Sequence, residues 1–247
     1  MKKSIFILSL LISFYALKTN AQSKFYLSTE GNFIYDLYQV SDEGDAIGPP
    51  NIRTLDIPGT TILAGYELNS TFSVEVGIAT RPVKSGFSLQ KEAGRMQTES
   101  AGSYYHIPVR TRAIIPLVGD WLFATASLGM HLSVTEPTRV GTTFTSEGGG
   151  GGGRIVGGNE NYSYTTQYTS IDKYFITAAA ETGFDFQISP KFNIYSTFTY
   201  NRGFTDLRQT DIQYQFQNEP QREASVLHQG SYLSVNIGLR FPFNGKD

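Results

Sequence analysis

The sequence predicts an all-β protein, an eight-stranded antiparallel up-and-down transmembrane β-barrel with long extracellular loops and short periplasmic turns. Three observations predict it. Eight segments alternate apolar and polar residues with period 2, the pattern of strands with unlike faces. The connections between them alternate long and short without exception. Aromatic residues gather on the apolar face at both ends of the strands, as a bilayer interface selects.

The eight runs span 25–38, 60–68, 72–81, 104–116, 121–134, 173–188, 192–202 and 231–243. The last is the clearest: Leu233, Val235, Ile237, Leu239, Phe241 and Phe243 alternate with Ser234, Asn236, Gly238, Arg240 and Pro242. About 9–11 tilted residues cross a bilayer, and each run reaches that length. The long connections are 39–59, 82–103, 135–172 and 203–230. The short ones are Asn69-Ser70-Thr71, Val118-Gly119-Asp120 and Ser189-Pro190-Lys191. A soluble sandwich has no reason to put every long loop at one end. An outer-membrane barrel does, with both termini periplasmic. Tyr35, Tyr105, Tyr174 and Tyr200 fall at the long-loop ends of their strands. Tyr66, Phe72, Phe186, Phe192, Phe241 and Phe243 fall at the short-turn ends.

The polar face carries Glu30, Asp36, Glu67, Glu75, Arg81, Arg110, Arg112, Glu181, Asp185 and Arg240. A lipid-facing Arg or Lys at mid-bilayer costs roughly 2–4 kcal/mol, which explains why the charges avoid the apolar face. The interior of an eight-stranded barrel is only wide enough for side chains. These six acids and four arginines are therefore expected to pair as a polar plug. The alternative is a gated path for ions or small solutes. Pro108 lacks a ladder donor, so a local bulge is expected there, with Pro116 and Pro242 better tolerated at strand ends.

Composition narrows the chemistry. The chain has 247 residues and Cys 0, which excludes a disulfide scaffold, a cysteine zinc site, a thiol nucleophile and a lipid-anchored lipoprotein. A formal charge of −2 argues against nucleic-acid binding. Only His106, His131 and His228 are available for acid-base or metal work, and no catalytic set, cofactor or metal site is expected. Lys2 and Lys3, the apolar run Ile5 to Leu17 and the small residue Ala21 predict a cleaved signal peptide over 1–21. Residues 22–247 then form a single barrel domain. No later stretch approaches the length of a membrane-spanning helix.

Four motifs bear on possible chemistry. His131-Leu132-Ser133 resembles, in spacing only, the His-x-Ser of barrel-type lipid A deacylases, but parity turns both polar residues into the lumen. Gly148 to Gly153 lacks the strand–loop–helix setting and the Lys of a phosphate loop, so it reads as a loop tip. Asp42-Glu43-Gly44-Asp45 is a solvated acidic loop or a weak cation site. In loop 203–230, Gln209, Gln213, Gln215, Gln217 and Gln221 accompany Tyr214 and Phe216, and Gln213 to Phe216 alternate. That pattern predicts strands extending past the membrane as a hairpin. Its exposed aromatic and amide side chains suit protein or glycan contact.

Several short motifs carry a family resemblance. They are the signal ending Asn20-Ala21-Gln22, Tyr105-His106-Ile107-Pro108-Val109, Ala180-Glu181-Thr182-Gly183-Phe184-Asp185, Ile188-Ser189-Pro190-Lys191-Phe192 and Ser231 to Phe243. Together they resemble the small outer-membrane β-barrel family of Bacteroidota that includes the PorT-like proteins. The resemblance implies a barrel whose last strand, with its terminal aromatic, is read by insertion machinery. It also implies an accessory role in a secretion system as one alternative. The expectation is a non-enzymatic integral outer-membrane protein with a plugged lumen. It would anchor, adhere or scaffold through loops 135–172 and 203–230, with membrane lipid and other envelope proteins or surface ligands as partners. The other alternative is a narrow passive channel.

Overall fold

The computed structural model describes residues 25–50, 59–91, 94–134, 139–146, 162–170, 174–216 and 219–243. The signal peptide expected over 1–21 and the run Gly148 to Gly153 lie outside those residues. Among the described residues there are twelve strands: β1 (Phe25–Asp42), β2 (Ile47–Gly48), β3 (Gly59–Glu67), β4 (Phe72–Lys91), β5 (Gly94–Val118), β6 (Leu122–Val134), β7 (Arg139–Ser146), β8 (Tyr162–Ser170), β9 (Tyr174–Ser189), β10 (Phe192–Gly203), β11 (Arg208–Phe216) and β12 (Arg222–Phe243). Among the described residues no helix is long and apolar enough to cross a membrane.

Eight strands close on themselves in the order β1-β3-β4-β5-β6-β9-β10-β12, and β12 returns to pair with β1. Every neighbouring pair is antiparallel. This is an eight-stranded up-and-down barrel. Closure pairs the first described strand with the last, from Phe25↔Phe243 to Asp42↔Ala224, and leaves the barrel wall no open edge to aggregate.

Alternation decides which way each side chain points. Ile62, Val76, Ile78, Val109, Leu128, Met130, Phe184, Phe198 and Ile237 stand outward and exposed, with Leu128 at 71% and Ile78 at 66%. No Asp, Glu, Lys or Arg shares this outward face between the two aromatic levels. Tyr35, Tyr105, Tyr174 and Tyr200 project outward at the long-loop end. The ladders align them in two pairs, because Tyr105 and Tyr174 both face Val134, and Tyr35 and Tyr200 both face Leu233. Phe25, Phe72, Trp121, Phe186, Phe241 and Phe243 do the same at the short-turn end.

The long connections differ from expectation, because each contains strand. The segment 82–103 is a hairpin: β4 and β5 stay paired from Phe72↔Ala113 to Lys91↔Gly94. The reason is a change of face. Below Arg81 the apolar residues point outward. Above it, Val83, Phe87 and Leu89 take the inward parity of Arg81 and are buried. Met96 and Tyr104 on β5 and Ala224 and Val226 on β12 switch in the same way. Alternation continues, but its apolar set moves to the other side, so a single pattern of parity ends where the strand does not.

The outer parts of these strands build a second layer. β11 pairs with the outer half of β12 and with β8, and β8 pairs with β7. The hairpin expected within 203–230 is present as β11 and the start of β12. Side chains from β2, β4 and β5 meet those from β8, β11 and β12 in a core of Ala46, Ile47, Phe87, Leu89, Met96, Tyr164, Ile212, Tyr214, Phe216, Ala224 and Val226. Phe87 and Tyr164 pack edge to face at 5.5 Å. β12 changes neighbours at Gly230. Its partner on β10 ends at Tyr232, and its partner on β11 begins at His228. Gly230 has φ 79, a left-handed value that a side chain resists, and the β1–β12 register shifts there.

Pro108 does not make the expected bulge. The β4–β5 register is the same on both sides of it, and the β5–β6 ladder runs unbroken through Pro108↔His131. A residue offers one N–H to one neighbour, so the proline costs one bond on one side without a slip. The register shift in β5 falls instead at Pro116/Val118, at the strand end before a short turn.

Candidate functional site

The inward parity of β1, β4, β5, β9 and β12 fills the lumen with charge. Arg110 reaches three strands at once. Its Nη2 lies 2.5 Å from Glu30 Oε1 and its Nη1 3.0 Å from Glu181 Oε2, while Nε donates to Glu75. Glu181 also accepts from Ser127 and Thr199, each at 3.2 Å. Nearer the short turns, Arg240 Nη1 is 2.6 Å from Asp185 Oδ2, and Asn193 donates to the same carboxylate at 2.9 Å. Arg112 lies 3.6 Å from Glu75 and 3.7 Å from Asp185, with the face of Tyr195 at 4.8 Å. These charged side chains are all at least nine-tenths buried. A buried ion pair needs such additional hydrogen bonds to offset its desolvation.

Asp36 and Arg81 form a separate level toward the long loops. They pair directly, Arg81 Nη1 donates to the Gly230 carbonyl at 3.3 Å, and the guanidinium lies over Tyr232 at 3.9 Å. His228 Nε2 stands 3.4 Å from Asp36 Oδ1. Glu67, the tenth inward charge expected from the sequence, ends β3 at the short-turn rim and is only half-buried. The structure therefore joins Glu30, Glu75, Arg110, Arg112, Glu181, Asp185 and Arg240 in one cluster. It places Asp36 with Arg81 in another, and Glu67 at the edge.

Two tyrosines missing from the sequence-based set complete the cluster. Tyr26 donates to Glu75 Oε1 at 2.6 Å and supports Arg240 at 4.8 Å. Tyr195 donates to Glu30 Oε1 at 3.0 Å. Each ring lies across a glycine on the paired strand: Tyr26 opposite Gly65, and Tyr195 opposite Gly238. A Cβ on Gly65 would stand 2.1 Å from the Tyr26 ring, and one on Gly238 would stand 2.3 Å from the Tyr195 ring. The signal was available in the sequence as an inward-parity tyrosine facing an inward-parity glycine.

Between the two charged levels lies a chamber of about 50 Å³. Its floor is Arg110 with Glu30 and Glu181, and its roof includes Arg81 and Tyr232. Above the roof, Val83, Tyr104, Phe175 and Leu207 form an apolar seal. His106 and His131 also line the chamber. His106 Nδ1 is 2.5 Å from Ser133 Oγ, and Ser133 is fully buried. Leu132 faces outward, so the His-x-Ser spacing presents neither polar residue to lipid. Among the described residues no three His, Asp or Glu side chains converge to hold a metal ion.

The outer layer has its own polar knot. Asp42 accepts from the backbone N–H groups of Gly44, Ala46 and Ile47 at 3.0, 2.6 and 2.7 Å, and from the Tyr214 hydroxyl at 2.7 Å. The acidic run 42–45 is thus a turn lock, with the Asp42 oxygens committed to donors. Burial alone would raise the Asp42 carboxyl, but these donors hold it below the usual carboxylate range. A lowered carboxyl contributes stability above its ordinary titration range and loses it as pH falls through the lowered one. Asp42→Asn is expected to loosen the outer layer by about 1 kcal/mol at neutral pH, and by less in acid. Proteolysis between β11 and β12 measures it. Tyr214 and Phe216 are buried here rather than exposed, because the alternation in β11 turns them to the core. Gln213, Gln215 and Gln221 are exposed, with amides that bond Glu223, the Glu219 carbonyl and one another.

No family model and no curated protein sequence matches this chain. Several solved structures resemble it. Neisserial surface protein A is 12% identical, covers 88% of this chain and 96% of its own, and gives a TM-score of 0.39. The outer membrane protein AlkL is 12% identical, with 93% and 95% covered and a TM-score of 0.41. A major outer membrane protein from Thermus thermophilus is 7% identical, with 90% and 100% covered and a TM-score of 0.41.

Proposed function

We propose that this is a non-enzymatic integral protein of the bacterial outer membrane, in which a plugged barrel anchors a folded β-layer at the cell surface. The change of face carries the reading. A water-soluble protein hides its apolar face along its whole length. This chain hides it only beyond Arg81, and over the barrel it turns apolar side chains out and charges in. Exposed apolar surface on this scale, without a charge between two aromatic levels, fits hydrocarbon bounded by two interfaces.

In this reading the long-loop end is extracellular, and the short turns and both termini are periplasmic. The lumen is shut by the Arg110 cluster, the Arg81–Asp36 pair and the apolar seal above them. Contact with the surroundings falls to the outer layer, whose exposed face presents Asp211, Gln213, Gln215 and Gln221. Such a surface suits a hydrogen-bonding partner, either a surface ligand or another envelope protein. Cysteines at Gln213 and Gln167 are expected to react with an impermeant maleimide on intact cells, and cysteines at Ser70 and Lys191 are not. Equal labelling of both sets would overturn the orientation. The refolded protein is expected to give no steady conductance in planar bilayers. A stable ionic current would replace the plugged reading with that of a narrow channel.

A further inference from the structure

The carboxylates and guanidiniums buried in the lumen do not balance. Glu30, Asp36, Glu75, Glu181 and Asp185 face Arg81, Arg110, Arg112 and Arg240, five carboxylates against four guanidiniums. Arg81 answers Asp36, which also has the His228 imidazole 3.4 Å away. Arg112 and Arg240 both lie against Glu75 and Asp185. Arg110 is left between Glu30 and Glu181, so the chamber floor holds one carboxylate in excess. All nine side chains are at most 8% exposed. A buried charge without compensation is strongly destabilising, so this lumen calls for one more positive charge, either an ion or a proton on a carboxylate or on His228.

Unused oxygens stand at the same place. Asn32 and Asn236 face each other across the β1–β12 ladder, and both line the chamber. Asn32 donates its amide to Thr61 Oγ1 at 2.8 Å. Asn236 donates to Thr197 Oγ1 at 3.0 Å and Thr199 Oγ1 at 2.8 Å. With the donors used, both Oδ1 atoms remain buried without a partner, and Asn236 is only 4% exposed. Amide-type carbonyl oxygens are what replaces the water shell of an alkali cation. The chamber's roughly 50 Å³ is several times the roughly 10–15 Å³ that one water requires. It has room for an ion with part of its hydration.

We propose that the chamber is a binding site for one alkali-metal cation, ligated by Asn32 Oδ1, Asn236 Oδ1 and the carboxylates of Glu30 and Glu181. The ion balances the plug rather than passing through it, because Arg110 closes the floor and the Arg81–Asp36 pair closes the roof. The inference rests on the lumen geometry alone. An experiment in detergent therefore tests it independently of the orientation in the membrane.

The test compares the mature chain refolded in NaCl, KCl, RbCl or N-methylglucamine chloride at equal ionic strength. The midpoint of heat modification is expected to be about 5 °C higher in at least one alkali salt. Elemental analysis after desalting into N-methylglucamine is expected to find one alkali ion per chain. Glu181→Gln keeps an acceptor for Arg110 but removes the charge excess, and it should abolish both effects. Glu30→Gln serves the same purpose should that variant not fold. Equal midpoints in all four salts would overturn the proposal. If acid then raises the midpoint, a proton balances the plug; if it does not, water fills the chamber. A cation effect that survives in the folded variants would also overturn it, since it would come from surface screening.

Discussion

Arg110→Ala is expected to destabilise the barrel by about 3–5 kcal/mol, because it removes one partner from a buried ionic network. Arg110 is the only described side chain that contacts Glu30, Glu75 and Glu181 together. Without it the three carboxylates face one another in a closed lumen, with only Arg112 and Arg240 near Glu75. The measurement is the temperature at which the unboiled protein loses its compact gel mobility. It should fall sharply while bilayer conductance stays near zero. In an open pore Arg110 would be solvated, its loss would be mild for stability, and selectivity would move toward cations. A stable Arg110→Ala variant with altered conductance would therefore sink the plug. Arg110→Lys should recover only part of the loss, because one ammonium cannot reproduce a fork directed at three acids.

Gly65→Val should be nearly as harmful, through space rather than charge. The new Cβ would stand 2.1 Å from the Tyr26 ring, so the ring must leave. With it go the hydrogen bond to Glu75 and the support beneath Arg240. Overpacking of this kind costs about 1–3 kcal/mol, and a buried hydrogen bond to a charged group adds about 1.5–3 kcal/mol. The mechanism predicts its own rescue. In the background of Tyr26→Ala, Gly65→Val should be nearly neutral, because its clash is already gone. A double-mutant cycle measures this directly, and additive losses would show that the clash is not the cause. Gly238 with Tyr195 should behave the same way.

Much of the barrel was legible because its physics is local. Period 2 with a constant face marks a strand between lipid and a polar lumen, so Leu233 to Phe243 could be placed residue by residue. The charges of the lumen followed by parity. Their pairing did not, because contacts such as Arg110 to Glu30 join residues 80 positions apart, and strand stagger sets which levels meet. The outer layer was hidden for another reason. Where the strands leave the apolar belt, Val83, Phe87 and Leu89 become core and the alternation inverts. A search for one constant face reads that inversion as a loop. Tyr214 and Phe216 looked like exposed aromatics for the same reason, although an inverted strand buries them. Pro108 shows the opposite failing, since a general rule about proline predicted a slip that the paired ladders on either side do not permit.

In the proposed reading the exposed apolar belt faces lipid, and the chain's single tryptophan reports on it. Trp121 is 51% exposed at the short-turn end of that belt, 6.4 Å from the Phe186 ring. The direct measurement is quenching of its fluorescence in proteoliposomes made with lipids brominated at different depths. Bromines near the headgroup should quench it strongly, deep bromines weakly, and aqueous iodide little. Strong iodide quenching with no response to brominated lipid at any depth would place the belt in water and contradict the account.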